Sequence, residues 1–292
     1  MSRQEKIHLP INLDFTQVLT AIANENVPVK TFTAHPFIKW VGGKRSIINE
    51  LLQRTPKQYS SYHEPFLGGG ALFFALNQEK AFLSDINFYL IVTYTAIRDN
   101  VEEVICNLKI HKKNHKLEYY QKARIKLGKE QEQSKIAALF IYLNKTCYNG
   151  LYRVNKSGLF NVPMGKYTDP AILDKDNLLA CSKFLQNTII KQHNFVHCRP
   201  QKYQFYYLDP PYHETFSGYD GSGFKNKEHE KLASFCNKIN KKQGFFMLSN
   251  SDTPFVRELY KGYNVEIVSS SRLISCKAND RNKQNELIIR NY

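Results

Sequence analysis

The segment that most restricts the fold is Phe205 to Leu208, an apolar run that stops at Asp209-Pro210-Pro211-Tyr212. Tyr203 to Leu208 has the length and aromatic content of a buried strand. Two successive prolines fix the backbone in an extended form, because each locks φ and restricts its predecessor, and neither offers an N–H. The aspartate follows the apolar strand and so emerges at its carboxyl end. Open α/β sheets hold their ligands at that end. The proline carbonyls and the Asp209 carboxylate present acceptors only, which is what an amino group needs. Tyr212 adds an aromatic face on which a base can stack. The plain alternative is a proline-rich turn with a surface tyrosine, and the preceding strand argues against it.

Other strand-like runs alternate with helix-like ones. Tyr59 to Phe66 reads as a strand, followed by a Gly68-Gly69-Gly70 loop and a helix over Ala71 to Asn77. Lys80 to Leu83 reads as a strand ending at Ser84 and Asp85, and Gly244 to Leu248, Val265 to Ser269 and Glu286 to Ile289 complete the set. Strands separated by helices imply an α/β sheet with crossover connections. In Glu64-Pro65-Phe66-Leu67-Gly68-Gly69-Gly70 the glycines let backbone approach a ligand. Asp85, closing the next strand, stands where nucleotide folds bond ribose hydroxyls. The glycine order is not G-x-G-x-x-G, so a ligand with adenosine but no pyrophosphate fits better. Lys39-Trp40-Val41-Gly42-Gly43-Lys44 holds the only tryptophan. Its ring could pack on adenine or attract a sulfonium. A half-buried ring in a surface turn is the alternative.

From Thr93 to Gln192 the chain is richer in lysine, with helix-like patterns at Val101–Ile110, Lys116–Leu127 and Ser134–Leu143. Leu151–Val154 and Leu159–Val162 flank Asn155-Lys156-Ser157-Gly158, which has hairpin chemistry. The division expected is an N-terminal extension over 1–36, a catalytic domain over 37–92 and 193–292, and an inserted recognition domain over 93–192. The extension carries a short amphipathic helix over Ile11 to Ile22 and no chemical motif. A formal net charge of +15 and a pI of about 9.4 suit a polyanionic partner, nucleic acid before anionic membrane. No apolar run reaches the roughly 18 residues of a membrane span, and MSRQEKIHLPINLDF lacks the features of a signal peptide. The six scattered cysteines read as reduced thiols, so a cytoplasmic location is expected. His111 with His115 and His193 with His197 have ligand-like spacing. No cysteine pair completes a zinc site, and no metal is expected.

In this order, the three motif segments resemble the Dam-type DNA adenine methyltransferases (D12 class, alpha group), from Phe37 nearly to Tyr292. The runs Tyr142-Leu143-Asn144-Lys145-Thr146-Cys147-Tyr148-Asn149-Gly150-Leu151-Tyr152-Arg153 and Gly158-Leu159-Phe160-Asn161-Val162-Pro163-Met164-Gly165-Lys166-Tyr167 extend the likeness. The resemblance implies a Rossmann-like S-adenosylmethionine-dependent methyltransferase sheet with a helical target-recognition insertion carrying a β-hairpin. It implies that Trp40, Lys44, Glu64, Phe66, Gly68, Asp85, Ile86 and Asp209 line the S-adenosylmethionine site. It places Asp209, Pro210 and Tyr212 on the target adenine. Tyr148 and Asn149 would probe the duplex near the vacated position, and Lys39 would contact the first base pair. Leu151, Arg153, Pro163 and Lys166 would lie on a base-reading hairpin. In that family the position of Lys166 is often arginine. The expected partner is double-stranded DNA, read as a monomer without an obligatory protein partner; GATC is the leading site, and related enzymes with the same residues read longer ones. Arg153 matches the two major-groove acceptors of guanine, and Pro163 could pack on a thymine methyl, a GAT core. Two other readings stand beside this one. The same Asp-Pro-Pro-Tyr chemistry serves methyltransferases of RNA bases or protein glutamine, and a DNA-binding module could carry a dead site.

Overall fold

The computed structural model describes residues 34–78, 80–214, 224–270 and 284–292. The amphipathic helix expected over Ile11 to Ile22 lies outside the described residues. The strands are β1 (Ser61–Glu64), β2 (Ala81–Asp85), β3 (Thr188–Gln192), β4 (Gln204–Leu208), β5 (Phe245–Ser251), β6 (Asn264–Ser270) and β7 (Gln284–Arg290). They form one seven-stranded sheet in the order β3-β2-β1-β4-β5-β7-β6. β1 to β5 run parallel, and β7 is antiparallel to both of its neighbours. The fold is the Rossmann-like α/β sheet that the resemblance leads one to expect.

Period-two alternation assigns each strand residue to one of two cores. Phe205 and Tyr207 of β4, with Met247 and Ile288, face one core. Tyr206 and Leu208, with Phe246, Leu248, Leu287 and Ile289, face the other. The central strands are apolar on both sides because helices cover both faces, the rule for parallel sheets.

The helices are α1 (Ile48–Gln53), α2 (Ala71–Leu76), α3 (Phe88–Lys113), α4 (Leu117–Leu127), α5 (Gln133–Thr146), α6 (Lys175–Leu185), α7 (Asn226–Lys241) and α8 (Pro254–Leu259). The first core holds residues of α2, α3, α5 and α6, and the second those of α7 and α8. α3 starts well before the Val101 expected from periodicity. Leu90, Ile91, Val92, Tyr94, Ala96 and Ile97 are all buried, so this half is apolar on too many sides to show a one-faced stripe. The Asn87 side chain caps it, accepting from Leu90 N at 3.0 Å. Non-helical backbone at Asn100 (φ −141°, ψ 43°) kinks the helix where its second half departs. Residue 93 therefore lies inside one helix.

β3 falls inside the 93–192 stretch and pairs in parallel with β2, from Ala81 opposite Thr188 to Asp85 opposite Gln192. Its sequence TIIKQ shows little apolar alternation because it is an edge strand with only Thr188 buried. β1 lies between β2 and β4, so the crossover direction reverses there. The crevice outside the carboxyl ends at such a switch point is where doubly wound sheets bind ligands.

Candidate active site

Register brings the acids to one edge. Glu64 stands opposite Leu83, so Asp85 lies two residues beyond it on β2. His63 stands opposite Tyr206, so Asp209 emerges just past the end of β4 on the other side. Glu286 stands opposite Ser251, the last residue of β5, and reaches the same edge from the antiparallel strand.

The turn after β1 needs glycine for two reasons. Gly68 and Gly70 have φ of 47° and 64°, the left-handed region costly for other residues. A Cβ on Gly68 would also lie 2.7 Å from Trp40 Cδ1, so the indole rests directly against this backbone. Gly68 N donates to Asp85 Oδ2 at 3.1 Å and Asn87 N to Oδ1 at 3.0 Å. These bonds aim the carboxylate, and burial raises its pKa against their effect. Ile86 beside it is 57% exposed, an apolar side chain at the crevice. Trp40 also stacks on Tyr152, with centroids 5.9 Å apart. Phe66 packs against Phe195 at 5.2 Å. Glu64 is buried and accepts from Tyr62 Oη at 2.7 Å. Burial pushes its pKa up to about 8, opposed by the Tyr62 hydrogen bond and reinforced by the Asp209 charge.

Lys44 is 4% exposed, and its ammonium sits 2.8 Å from Asp209 Oδ1. It also donates to the Gly42 carbonyl and lies 4.8 Å from the Tyr212 ring centroid. The Tyr212 hydroxyl donates to Glu286 Oε2 at 2.7 Å. Burial pushes the Asp209 pKa up to about 6; Lys44 opposes this and Glu286 adds to it. Pro210 is buried behind the aspartate. The chain beyond is anchored by His213 N donating to Asn250 Oδ1 at 3.1 Å and Ser251 Oγ donating to His213 O at 2.7 Å. Glu286 has no place among the residues expected from sequence. Its one signal was an acid at the start of an apolar strand.

The expected base readers fall into two groups. Lys39 and the Tyr148–Gly150 turn are held together by Asn144, which is 2% exposed. Lys39 N donates to Asn144 Oδ1 at 2.8 Å, and Asn144 Nδ2 donates to Lys39 O at 2.8 Å and Gly150 O at 3.1 Å. Asn149 and Gly150 take left-handed φ of 52° and 64°, and a Cβ on Gly150 would strike Lys39 Cβ at 2.5 Å. Tyr148 N donates to Pro163 O at 2.9 Å. Lys39 Nζ donates to Tyr167 Oη at 3.2 Å. Lys39, Tyr148, Asn149, Pro163 and Tyr167 thus lie together.

Arg153 lies on the hairpin, closed by Asn161 N donating to Arg153 O at 3.0 Å and by the Val154–Phe160 bridge. Arg153 Nε donates to Asn161 Oδ1 at 2.8 Å, which orients an exposed guanidinium. Tyr148, Pro163 and Lys166 are also exposed, while Leu151 is half-buried against the core. Of the histidines with ligand-like spacing, His111 Nδ1 is 2.8 Å from Tyr119 Oη and His115 Nδ1 is 3.0 Å from Tyr142 Oη, while the His193 and His197 rings meet at 5.4 Å. Among the described residues no three His, Cys, Asp or Glu side chains converge on a metal-sized site, and no helix is long and apolar enough to cross a membrane.

Residues 40–274 match the sequence profile of the D12 class N6 adenine-specific DNA methyltransferase. The chain is 37% identical over 270 residues to a type II methyltransferase of Lactococcus lactis subsp. cremoris, covering 88% of this chain and 95% of that one. It is 38% identical over 286 residues to a type II methyltransferase of Methanocaldococcus jannaschii, covering 88% and 99%. A DNA adenine methylase of Vibrio cholerae is 32% identical over 261 residues, covering 86% and 94%.

Proposed function

This chain belongs to the D12 class of N6 adenine-specific DNA methyltransferases, and from that premise we propose its substrates, its site residues and its target. The methyl donor is S-adenosylmethionine, the acceptor is an adenine flipped out of duplex DNA, and the target has a GAT core with GATC as the first candidate. The observation that carries this reading is the Asp209-Pro210-Pro211-Tyr212 segment, which opens at the switch point between Glu64 and Glu286.

The residues suit the donor. Glu64, Asp85 and Asp209 share an edge with the buried Lys44 ammonium. Burial pushes all three up in pKa, and a cationic ligand beside them favours their ionised forms. Asp85 stands where a ribose is bonded, Gly68 lets backbone come close, and Trp40, Phe66 and Ile86 offer apolar surface. S-adenosylmethionine supplies an electrophilic methyl on its sulfonium.

The chain's own work is to present the acceptor. An adenine in the stack is out of reach, and extruding it costs a few kcal/mol. The Tyr212 face offsets part of that cost by stacking. Its exocyclic nitrogen is a poor nucleophile because the lone pair is delocalised into the ring. Asp209 and the Pro210 carbonyl accept its two hydrogens and favour a more pyramidal nitrogen. Lys44 sits against Asp209 Oδ1 and opposes the effect of burial, favouring the ionised carboxylate; Oδ2 is assigned to the amine. The amine lone pair forms the N–CH3 bond as the methyl–sulfur bond breaks with its electron pair left on sulfur, and the nitrogen then loses one proton to solvent. The rate gain comes from positioning and electrostatics, with no covalent intermediate.

Lys39, Tyr148, Asn149, Leu151, Arg153, Pro163 and Lys166 form the duplex-reading surface. The recognition segment is taken to begin at the Asn100 kink and to end before α6, since β3 belongs to the sheet. A single chain holds every part named, which supports action as a monomer, and we read its place of work as DNA in the cytoplasm.

The reading is tested by transfer of labelled methyl to a duplex containing GATC, beside one with that adenine replaced by thymine on both strands. Label in the first alone is expected. Label in both, or in RNA instead, would overturn it. Arg153→Ala should weaken discrimination at one guanine by about 1–3 kcal/mol; uniform weakening across all sequences would make Arg153 a phosphate contact. The pH profile gives a further check. Asp209 must be ionised to accept, and its pKa is raised to about 6, so single-turnover transfer should fall as pH drops through about 6. A rate still flat at about pH 4.5, near the ordinary carboxylate range, would remove Asp209 from the role.

A further inference from the structure

Glu286 is 7% exposed and is the third residue of β7, whose next three residues, Leu287, Ile288 and Ile289, are fully buried. A carboxylate in that setting is costly unless it is hydrogen-bonded. Its bond goes to the Tyr212 hydroxyl, at 2.7 Å. That hydroxyl is the far end of the ring assigned to the adenine. The next residue along the chain is tied by the bonds from His213 N to Asn250 and from Ser251 to His213 O. The Lys44 ammonium lies over the ring at 4.8 Å and reaches Asp209 at 2.8 Å. Three separate elements therefore converge on one aromatic plane: β7, the segment after β4 and the turn before α1.

We propose that Glu286 is a positioning residue for methyl transfer, its carboxylate holding the Tyr212 hydroxyl and so setting the plane on which the target adenine stacks. The proposal rests on the assignment of Asp209 to Tyr212 as the adenine site. Glu286 acts through Tyr212 and touches no reacting atom. It also acts through charge. The groups facing Asp209 are Lys44 from the turn before α1, Glu64 from β1, Tyr207 from β4, Tyr212, and Glu286 from β7. Of these, Lys44 favours the ionised aspartate, and Glu286 disfavours it.

Three variants of the full chain separate these effects. Tyr212→Phe keeps the ring and removes the donor. Glu286→Ala removes acceptor and charge. Glu286→Gln keeps an acceptor oxygen and removes only the charge. Single-turnover transfer is read with labelled methyl, and base extrusion is read by fluorescence of 2-aminopurine at the target position.

Tyr212→Phe and Glu286→Ala should each slow transfer about 10- to 100-fold and reduce the extrusion signal. The double variant should be no slower than either single one, because both remove the same bond. Glu286→Gln should transfer near the wild-type rate at pH 8, with its acid limb moved below the wild-type one. A wild-type rate in Glu286→Ala, additive losses in the double variant, or an unmoved limb in Glu286→Gln would overturn the proposal. Absence of transfer by the wild-type protein to any adenine-containing duplex is a different outcome: it would overturn the functional reading, and this proposal with it.

Discussion

Asp209→Ala is expected to lower single-turnover methyl transfer by at least about 10²–10³-fold, the loss found when a preorganised electrostatic group is removed from a reacting centre. Duplex affinity should stay within a few-fold, because the base readers lie on other elements. A folding defect has to be separated from this loss. Lys44 is buried and pairs with Asp209, and removing one partner of a buried pair can cost about 3–5 kcal/mol. Asp209→Asn is the control, since its amide oxygen can still accept from Lys44 and fill the same space. It should keep the fold and still lose most of the rate. Loss of duplex binding together with transfer would argue that Asp209 supports structure alone.

The second large effect is expected at Asn144, which stands in no candidate set read from the sequence. Its side chain bonds Lys39 N, Lys39 O and Gly150 O from within the core. Truncation to alanine strands those backbone groups, each worth about 1–3 kcal/mol when left unsatisfied and buried. Asn144→Ala should therefore lower stability by at least about 3 kcal/mol, read as a lower denaturation midpoint at unchanged slope. At temperatures where the variant is folded, it should also lose discrimination between duplexes, since Lys39 and the Tyr148–Gly150 turn are no longer held in register. Asn144→Asp keeps the acceptor for Lys39 N but cannot donate to the two carbonyls, so it should lie on the same side. An unchanged midpoint would show that packing alone sets this turn.

The chemistry was legible where backbone rules and side-chain chemistry coincide. Consecutive prolines fix an extended backbone and strip it of donors, and an apolar strand precedes them, so Asp209-Pro210-Pro211-Tyr212 could be placed at a carboxyl end without coordinates. Gly68 and Asp85 could be read in the same local way. β3 and the first half of α3 were harder, for opposite reasons. The edge strand is too polar to show its alternation, and the buried half-helix is too apolar to show a stripe.

The sequence by itself determined the α/β class with crossover connections, the ends at which Asp85 and Asp209 emerge and the acceptor character of the Asp209 segment, because each follows from φ restriction, missing N–H groups and periodicity within a few residues. Only the tertiary structure decided which distant groups share a charge environment or a hydrogen bond. The Lys44–Asp209 pair, the Glu286 bond to Tyr212 and the Asn144 clamp join residues 165, 74 and 105 positions apart. Strand order and antiparallel reversal bring them together, and no local rule of spacing encodes that.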